Sequence, residues 1–327
     1  MDQSNPFLAD HGHSPHGSIN RLPLVHLPGL PLAPELVGMT AYPALSGASL
    51  EKAVRGDWNL VGPSAQQGVA QLGRLFGHVL VTLLTGPPEV RRRRVDWGER
   101  EWTWWKSIEQ IYLAGGAFRG KVGRLLLQTI EFIIADHLTD PPDLLIPPHP
   151  ELIPLSGAWQ LAHRSPTHRT PALALDWGQT SLKAAILQPG DTLKVFEPSP
   201  MLWPRWEALT NDEELREAKA LHKDLLKFTV SCLEQSNSEG PVTISLANYI
   251  DQGVINPRGA YGKLRLLAPD YSGYFSQELE RVSGQLRPVI MANDGVCASA
   301  AVASHGRRSA LILWGTALGV GWPQTST

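Results

Sequence analysis

The sequence predicts an α/β protein built as two lobes. Short apolar stretches typical of buried strands alternate along the chain with longer segments whose apolar residues recur every three or four positions, as on one face of a helix. Strands that alternate with helices favour a sheet covered by helices. A chain of 327 residues can bury one large core or two ordinary ones, and this length favours two.

The composition argues against several classes of protein. A net charge of −2 gives no electrostatic case for binding nucleic acid or an anionic membrane. The two cysteines, Cys232 and Cys297, lack metal-ligand spacing and suit a reducing compartment. The N-terminus lacks the basic flank and apolar core of a signal peptide, and the longest apolar run, around residues 75–84, is far short of the roughly 20 residues that a membrane span needs. We expect a soluble, cytoplasmic protein.

Two helices and a glycine pair organise the first half of the chain. Ser64 can cap an amphipathic helix, and a second helix is predicted over residues 121–137. Between them, a strand candidate at 108–113 runs into Gly115 and Gly116. A strand, a glycine pair and a helix make room for a flat ligand such as a nucleoside, and tight packing of the strand against the helix explains the pair equally well.

Arginines and tryptophans are concentrated at about residues 89–107. Interleaved Arg and Trp could stack on nucleic-acid bases, but in an acidic chain a solvated loop that caps a lobe is the favoured interpretation. The tryptophans could also form a homodimer contact, since aromatic residues are enriched at interfaces, and packing in a core explains them equally well.

A tight turn with polar residues opens the second half of the chain. A polar linker at 163–170 is the best internal boundary, and two strands, at 171–175 and 182–187, flank the turn at 176–180. The turn offers Asp176, which can hold Mg²⁺ through water, and groups that can contact phosphates, namely Gly178, Gln179, Thr180 and the nearby Lys183. A plain hairpin with a polar turn is the alternative.

The stretch 288–322 combines a candidate catalytic acid or base with a candidate anion site. A strand ending near residue 291 carries Asn293 and Asp294 at its carboxyl tip, where open α/β sheets place their ligands. A helix of small residues and a strand at 310–314 follow. The chain then turns through Gly315, Thr316, Gly319 and Gly321, where backbone N–H groups can approach phosphate oxygens.

These segments together resemble a known group of kinases. LALDWGQTSLKAAIL is similar to the first phosphate motif of the actin, sugar-kinase and heat-shock-chaperone superfamily, Asp-x-Gly-x-Thr-x-x-Lys. The segments VTISLANYIDQGVINP, PVIMANDGVCASAAVA and LILWGTALGVGW follow in the order and rough spacing of the ROK family of sugar kinases, which includes bacterial glucokinases. The resemblance covers residues 171–322.

The order of the motifs implies a circular permutation of that family. Segments that resemble the family's later parts precede the phosphate motifs here, at residues 45–54, 65–85, 111–118 and 155–162. The resemblance implies two ribonuclease-H-like lobes with an ATP cleft between them. One lobe would comprise residues 1–154 and the hairpin at 307–327, and the other residues 155–306. The linker at 163–170 could join the original termini.

The resemblance implies an ATP-dependent kinase that acts on a sugar or a sugar-like alcohol. Asp294 would accept the proton of the attacking hydroxyl, and Asn293 and Asn248 would bind the same substrate. Asp176 would hold Mg²⁺ through water, and Gly115 and Gly116 would receive the adenosine. The phosphates would be surrounded by Gly178, Gln179, Thr180, Lys183, Gly315, Thr316 and Gly319.

The chain departs from the family where sugar and zinc are bound. The nearest match to the family's Gly-Glu-x-Gly-His segment is residues 17–21, which contain neither the Glu nor the His, and the family's cysteine cluster is absent. We therefore expect no zinc, and the identity of the sugar stays open. A catalytically inactive protein that senses a sugar or a nucleotide is the main alternative, and an ATP-hydrolysing switch is a further one, because a fold does not guarantee an activity.

Overall fold

The structure, a computed structural model, divides the chain into two compact units. Unit 1 comprises residues 1–9, 14–153 and 302–327, and unit 2 comprises residues 10–13 and 154–301. The residues described are 5–9, 12–13, 15–24, 32–33, 37, 63–164, 171–188, 192–201, 211–236, 239–251, 253–315 and 317–324. Each unit has its own hydrophobic core. The chain passes from unit 1 to unit 2 between residues 153 and 154, and it returns to unit 1 between residues 301 and 302. The boundaries expected from the sequence are 154/155 and 306/307.

The helices and strands of the described residues are numbered here in chain order. The helices are α1 Pro63–Thr85, α2 Pro88–Arg93, α3 Glu99–Lys106, α4 Gly120–His137, α5 Ile153–Arg164, α6 Asn211–Leu233, α7 Tyr271–Ser283 and α8 Asp294–Ala300. The strands are β1 Leu8–Ala9, β2 Gly12–His13, β3 Gln110–Ala114, β4 Asp143–Leu145, β5 Leu173–Trp177, β6 Ser181–Gln188, β7 Thr192–Val195, β8 Ser199–Pro200, β9 Val242–Leu246, β10 Ile250–Asp251, β11 Val254–Ile255, β12 Val289–Asn293, β13 Ser309–Trp314 and β14 Leu318–Gly321.

Unit 1 contains a mixed sheet in the order β14-β13-β3-β4. β13 pairs antiparallel with β14 and parallel with β3, and β3 pairs parallel with β4. β3 and β13 are buried along their whole length, which is why both are apolar without alternation. Two strands of this sheet come from the first half of the chain and two from its C-terminal hairpin.

Helices α1 and α4 pack closely in the core of unit 1. A Cβ atom at Gly73 would lie 2.8 Å from Thr129, and one at Gly77 would lie 2.7 Å from Ile133, so these glycines let the two helices approach. Among the described helices, α1 is long and apolar enough to cross a membrane by length and composition, and it is mostly buried inside the unit, as core helices are. It begins at Pro63, so Ser64 lies in its first turn instead of preceding it.

The segment rich in arginine and tryptophan is part of the core of unit 1. Trp97, Trp102 and Trp105 are buried, and Arg94 is only 2% exposed. The Arg94 guanidinium lies 4.1 Å from the centroid of the Trp97 ring, and it donates a hydrogen bond to the Ser18 carbonyl oxygen at 2.7 Å. The expected solvated loop is therefore wrong, because the segment is largely helical and three of its four indole rings are buried.

Unit 2 contains a mixed sheet in the order β12-β9-β5-β6-β7, with β8 also paired to β6. β5, β6 and β7 are antiparallel neighbours, whereas β9 and β12 run parallel to β5. The register places Asp176 beside Ser245, and Ser245 beside Ala292. The carboxyl ends of three parallel strands therefore bring the polar residues that follow them to one edge of the sheet.

The helices of unit 2 fix the position of this edge. α6 buries Leu221, Leu225 and Cys232, as its period predicts. α5 lies so close to α8 that a Cβ atom at Gly157 would come within 1.6 Å of the Cys297 carbonyl oxygen. Because α8 follows β12 without a loop, this contact helps to set where Asp294 lies.

Candidate functional site

Asn293 and Asp294 form a hydrogen-bonded unit where β12 turns into α8. The Asn293 Oδ1 atom accepts a hydrogen bond from the Gly295 N–H at 2.9 Å, which caps the helix. The Asn293 Nδ2 atom donates to the Asp294 Oδ1 atom at 2.9 Å and to the Asn248 carbonyl oxygen at 3.1 Å. The Gly295 N–H also donates to Asp294 Oδ1, at 2.8 Å. The carboxyl group of Asp294 is therefore held in one orientation.

The environment of Asp294 suits a catalytic base. Burial raises the pKa of Asp294 to about 7, and the negative charge of Asp176 acts in the same direction, while the hydrogen bonds from Gly295 and Asn293 oppose the rise. A group with a pKa near 7 can both accept and release a proton at neutral pH. Perturbed carboxyl groups of this kind are typical of functional sites.

Asp176 lies at the same edge of the sheet, on β5, and is almost completely buried. Its Oδ2 atom accepts a hydrogen bond from Lys183 Nζ at 2.7 Å, and its Oδ1 atom accepts one from Ser245 Oγ at 3.1 Å. Asp176 and Lys183 are cross-strand neighbours on β5 and β6. Lys183, the residue expected to contact a phosphate, thus neutralises Asp176, the residue expected to hold the metal.

The turn between β5 and β6 is partly closed by its own hydrogen bonds. The Gly178 N–H donates to the Ser181 carbonyl oxygen at 3.1 Å, and the Gly178 carbonyl oxygen accepts from the Tyr261 hydroxyl at 2.7 Å. The N–H expected to contact a phosphate is therefore bonded within the hairpin. Thr180 is exposed, and the Oε1 atom of Gln179 is buried without a hydrogen-bond partner among the described residues.

Asn248 holds together the loop that follows β9. Its Nδ2 atom donates to the carbonyl oxygens of Asn256 at 3.0 Å and Arg258 at 2.9 Å, and its Oδ1 atom accepts from the Tyr249 N–H at 2.7 Å. Through its backbone carbonyl the same residue also supports Asn293. The structure thus gives Asn248 a supporting role, and its contact with a substrate stays a prediction.

The glycine-rich hairpin of unit 1 is anchored by a residue that the sequence did not single out. The Asn20 Nδ2 atom donates to the Leu318 carbonyl oxygen at 2.7 Å, and the Leu318 N–H donates to Asn20 Oδ1 at 3.0 Å. The Gly315 N–H donates to the Ala317 carbonyl oxygen at 3.1 Å, and Gly319 is paired with β13. Thr316 lies outside the described residues.

The two glycines that follow β3 have different surroundings. Gly115 has a φ of +102°, and a Cβ atom there would lie 2.3 Å from the Trp314 carbonyl oxygen, so tight packing explains this glycine. A Cβ atom at Gly116 would meet nothing within 4 Å. Packing therefore does not explain Gly116, and its backbone is open to the approach of a flat ligand.

Asp176 and Asp294, at the edge of the unit 2 sheet, would suit a magnesium ion bound mainly by water better than a metal ion whose ligands are all protein side chains. The described parts of the chain contain no group of three or more His, Cys, Asp or Glu side chains that could hold a metal ion. Magnesium usually takes one or two carboxylates and completes its shell with water and phosphate oxygens. Asp176 and Asp294, whose charges act on each other, are the carboxylates that could contribute to such a shell once Lys183 releases Asp176.

Comparisons of the chain with protein-family models, with curated proteins and with solved structures find no match in any of the three. A function can therefore be inferred only from the geometry of these residues and from the motifs that carry them.

Proposed function

We propose that the protein is an ATP-dependent kinase that transfers the γ-phosphoryl group of ATP to a hydroxyl of a sugar or a sugar-like alcohol. The observation that carries the proposal is the Asn293–Asp294 unit, in which a partly buried and oriented carboxyl group has a pKa of about 7. Such a group can take the proton of a hydroxyl as it attacks a phosphate. It has no obvious task in a protein that only binds a nucleotide.

The strand orders support ribonuclease-H-like lobes and a circular permutation. In unit 2 the order β12-β9-β5-β6 contains a hairpin, β5–β6, extended by two parallel strands. In unit 1 the order β4-β3-β13-β14 contains the hairpin β13–β14 extended in the same way. The hairpin precedes its parallel strands along the chain in unit 2 and follows them in unit 1. This difference in chain order with the same spatial order is what a permutation predicts.

The residues of the candidate site would have different roles in such a reaction. Asp294 would accept the proton of the substrate hydroxyl, and Asn293 would hold the Asp294 carboxylate towards it. Asp176 would hold Mg²⁺ through water, and this ion would neutralise charge on the phosphates. Lys183, Thr180 and the glycine-rich turns would contact phosphate oxygens, and Gly116 would receive the adenosine. Phosphoryl transfer depends mainly on positioning and on charge stabilisation, and both are supplied by residues of this kind.

A sensor without turnover is the second candidate, and two hydrogen bonds favour it. Lys183 is paired with Asp176 at 2.7 Å, and the Gly178 N–H is bonded to Ser181 at 3.1 Å, so two groups expected at the phosphates are occupied within unit 2. A kinase must exchange at least the first of these contacts when a nucleotide binds. A sensor need not.

A coupled assay of ADP release tests the proposal. The full chain is incubated with Mg-ATP and a panel of hexoses, N-acetylhexosamines and polyols. We expect ADP release that depends on one class of sugar and that falls by about 10²- to 10⁴-fold in Asp294→Asn, because the base is lost. The exposed carboxylate variant Asp140→Asn is the matched control and should retain full activity. Hydrolysis without a sugar would indicate a switch, and nucleotide binding without turnover would indicate a sensor.

A further inference from the structure

Glu151 has a carboxylate oxygen that finds no hydrogen-bond partner among the described residues. The residue lies in the 3₁₀ helix Pro150–Leu152 of unit 1. Its Oε2 atom is buried and accepts no hydrogen bond from any described residue. A buried acceptor without a donor is unfavourable, and a charged acceptor is more so, which is why native proteins keep few of them. This oxygen can therefore accept a hydrogen bond from a bound molecule.

The neighbouring arginine does not supply that donor. Arg119 Nε lies 3.7 Å from the other carboxylate oxygen, Oε1, which is too far for a hydrogen bond. The Arg119 side chain is 56% exposed, so the ion pair is weakened by solvent. The pair therefore leaves the Oε2 atom unsatisfied.

Glu151 adjoins the glycine pair that follows β3. The Gly115 N–H donates to the carbonyl oxygen of Pro150, the residue before Glu151, at 2.8 Å. This bond ties the glycine turn to the 3₁₀ helix, and the next glycine, Gly116, has open space where a side chain would be. A backbone open to a flat ligand and an unsatisfied carboxylate oxygen are thus held in adjoining segments of unit 1.

We propose that Glu151 binds the ribose of a nucleotide whose nucleoside lies against Gly116. Ribose hydroxyls are hydrogen-bond donors, and acidic side chains recognise them at the glycine turns of other nucleotide-binding folds. A hydroxyl bonded to the Glu151 carboxylate would supply a donor that the described residues do not provide. This inference rests on the proposed nucleotide binding, but it does not depend on phosphoryl transfer.

A comparison of ATP with 2′,3′-dideoxy-ATP tests the role of Glu151 in the full chain. Isothermal titration calorimetry with Mg²⁺ gives the affinity of both nucleotides for the wild type and for Glu151→Gln. The wild type should prefer ATP by about tenfold or more, as expected for a hydrogen bond to a charged acceptor. Glu151→Gln should reduce this preference to about twofold or less. Inorganic tripolyphosphate, which lacks the ribose, should bind both proteins equally.

Two control variants separate the role of Glu151 from changes in structure. Arg119→Met removes the ion pair and keeps the acceptor, so the preference for ATP should survive. Glu131→Gln removes an exposed carboxylate on α4 and should change neither affinity. Equal binding of the two nucleotides by the wild type, a preference that Glu151→Gln retains, or no binding of ATP would each overturn the inference. Ribose preference without ADP release would uphold it and count against the kinase, and ADP release without ribose preference would do the reverse.

Discussion

The carboxyl group of Asp294 should make the stability of the protein depend on pH. Its pKa is raised from 3.8 to about 7, so between these values the folded chain holds a proton that the unfolded chain has released. The group's contribution to stability is therefore complete below about pH 4 and is lost as the pH rises through about 7. An asparagine keeps the hydrogen bonds that Oδ1 accepts and carries no charge.

We therefore expect Asp294→Asn to be more stable than the wild type at pH 8, by roughly 1–3 kcal/mol. The full cost would be about 1.36 kcal/mol per unit of pKa shift, and the partial exposure of Asp294 reduces it. The difference should shrink towards pH 4. Urea unfolding of both proteins across this range measures it. A difference that is constant with pH, or a wild type that is more stable at pH 8, would contradict the assigned environment of Asp294.

At the scale of single residues, the motifs identify residue types but not the bonds that those residues make. The sequence predicts Asn293 and Asp294 at the carboxyl tip of a strand, and in the structure Asn293 is the last residue of β12 and Asp294 the first residue of α8. The same reasoning cannot show that the N–H of Gly178 is used within its own hairpin or that Asn248 closes a loop. Nothing in the sequence marks Asn20 or Glu151, because their roles depend on neighbours distant along the chain.

At the scale of elements, the close contact between α5 and α8 should control the stability of unit 2. A Cβ atom at Gly157 would come within 1.6 Å of the Cys297 carbonyl oxygen, which belongs to a helix backbone and cannot turn aside. We expect Gly157→Ala to lower the free energy of unfolding by at least about 2 kcal/mol, as overpacking does.

Gly116→Ala is the matched control for that change, since a Cβ atom at Gly116 meets nothing within 4 Å. Its stability should equal or slightly exceed that of the wild type. Denaturant unfolding monitored by tryptophan fluorescence compares the two variants. Equal stability of Gly157→Ala and Gly116→Ala would show that the packing of α5 on α8 is looser than described.

Elements with a clear hydrophobic pattern could be predicted, and their ends could not. The helix expected at 121–137 is α4, Gly120–His137, and the strand expected at 310–314 is β13, Ser309–Trp314. The strand expected at 171–175 is β5, Leu173–Trp177, so Asp176 lies on a strand and not in the turn. An aspartate suggests a turn, but pairing with Lys183 and Ser245 lets this one be buried in the sheet. The solvated loop predicted for the arginine- and tryptophan-rich segment is wrong because charge in the sequence does not show where the indole rings point.

At the scale of the whole molecule, unit 1 depends on both halves of the sequence. β13 pairs with β3 and β14, so the C-terminal hairpin supplies half of the described sheet of that unit. Deletion of residues 307–327 should therefore remove the slow hydrogen exchange of β3, α1 and α4.

The strands β5 and β9 of unit 2 serve as the internal control in that experiment, because they pair with neither deleted strand. Their amides should stay protected in the shortened chain. Hydrogen exchange with mass spectrometry reads both regions in one sample. Unchanged protection of β3 after the deletion would contradict the sheet order on which the permutation is argued.

The most direct test of the proposed function is ³¹P NMR of the full chain incubated with Mg-ATP and each sugar of the panel. The proposal predicts that one class of sugar gains a phosphomonoester resonance as the γ-phosphate signal of ATP disappears, and that Asp294→Asn abolishes this transfer. Inorganic phosphate as the only new phosphorus signal besides ADP, or an unchanged ATP spectrum with every sugar, would contradict it.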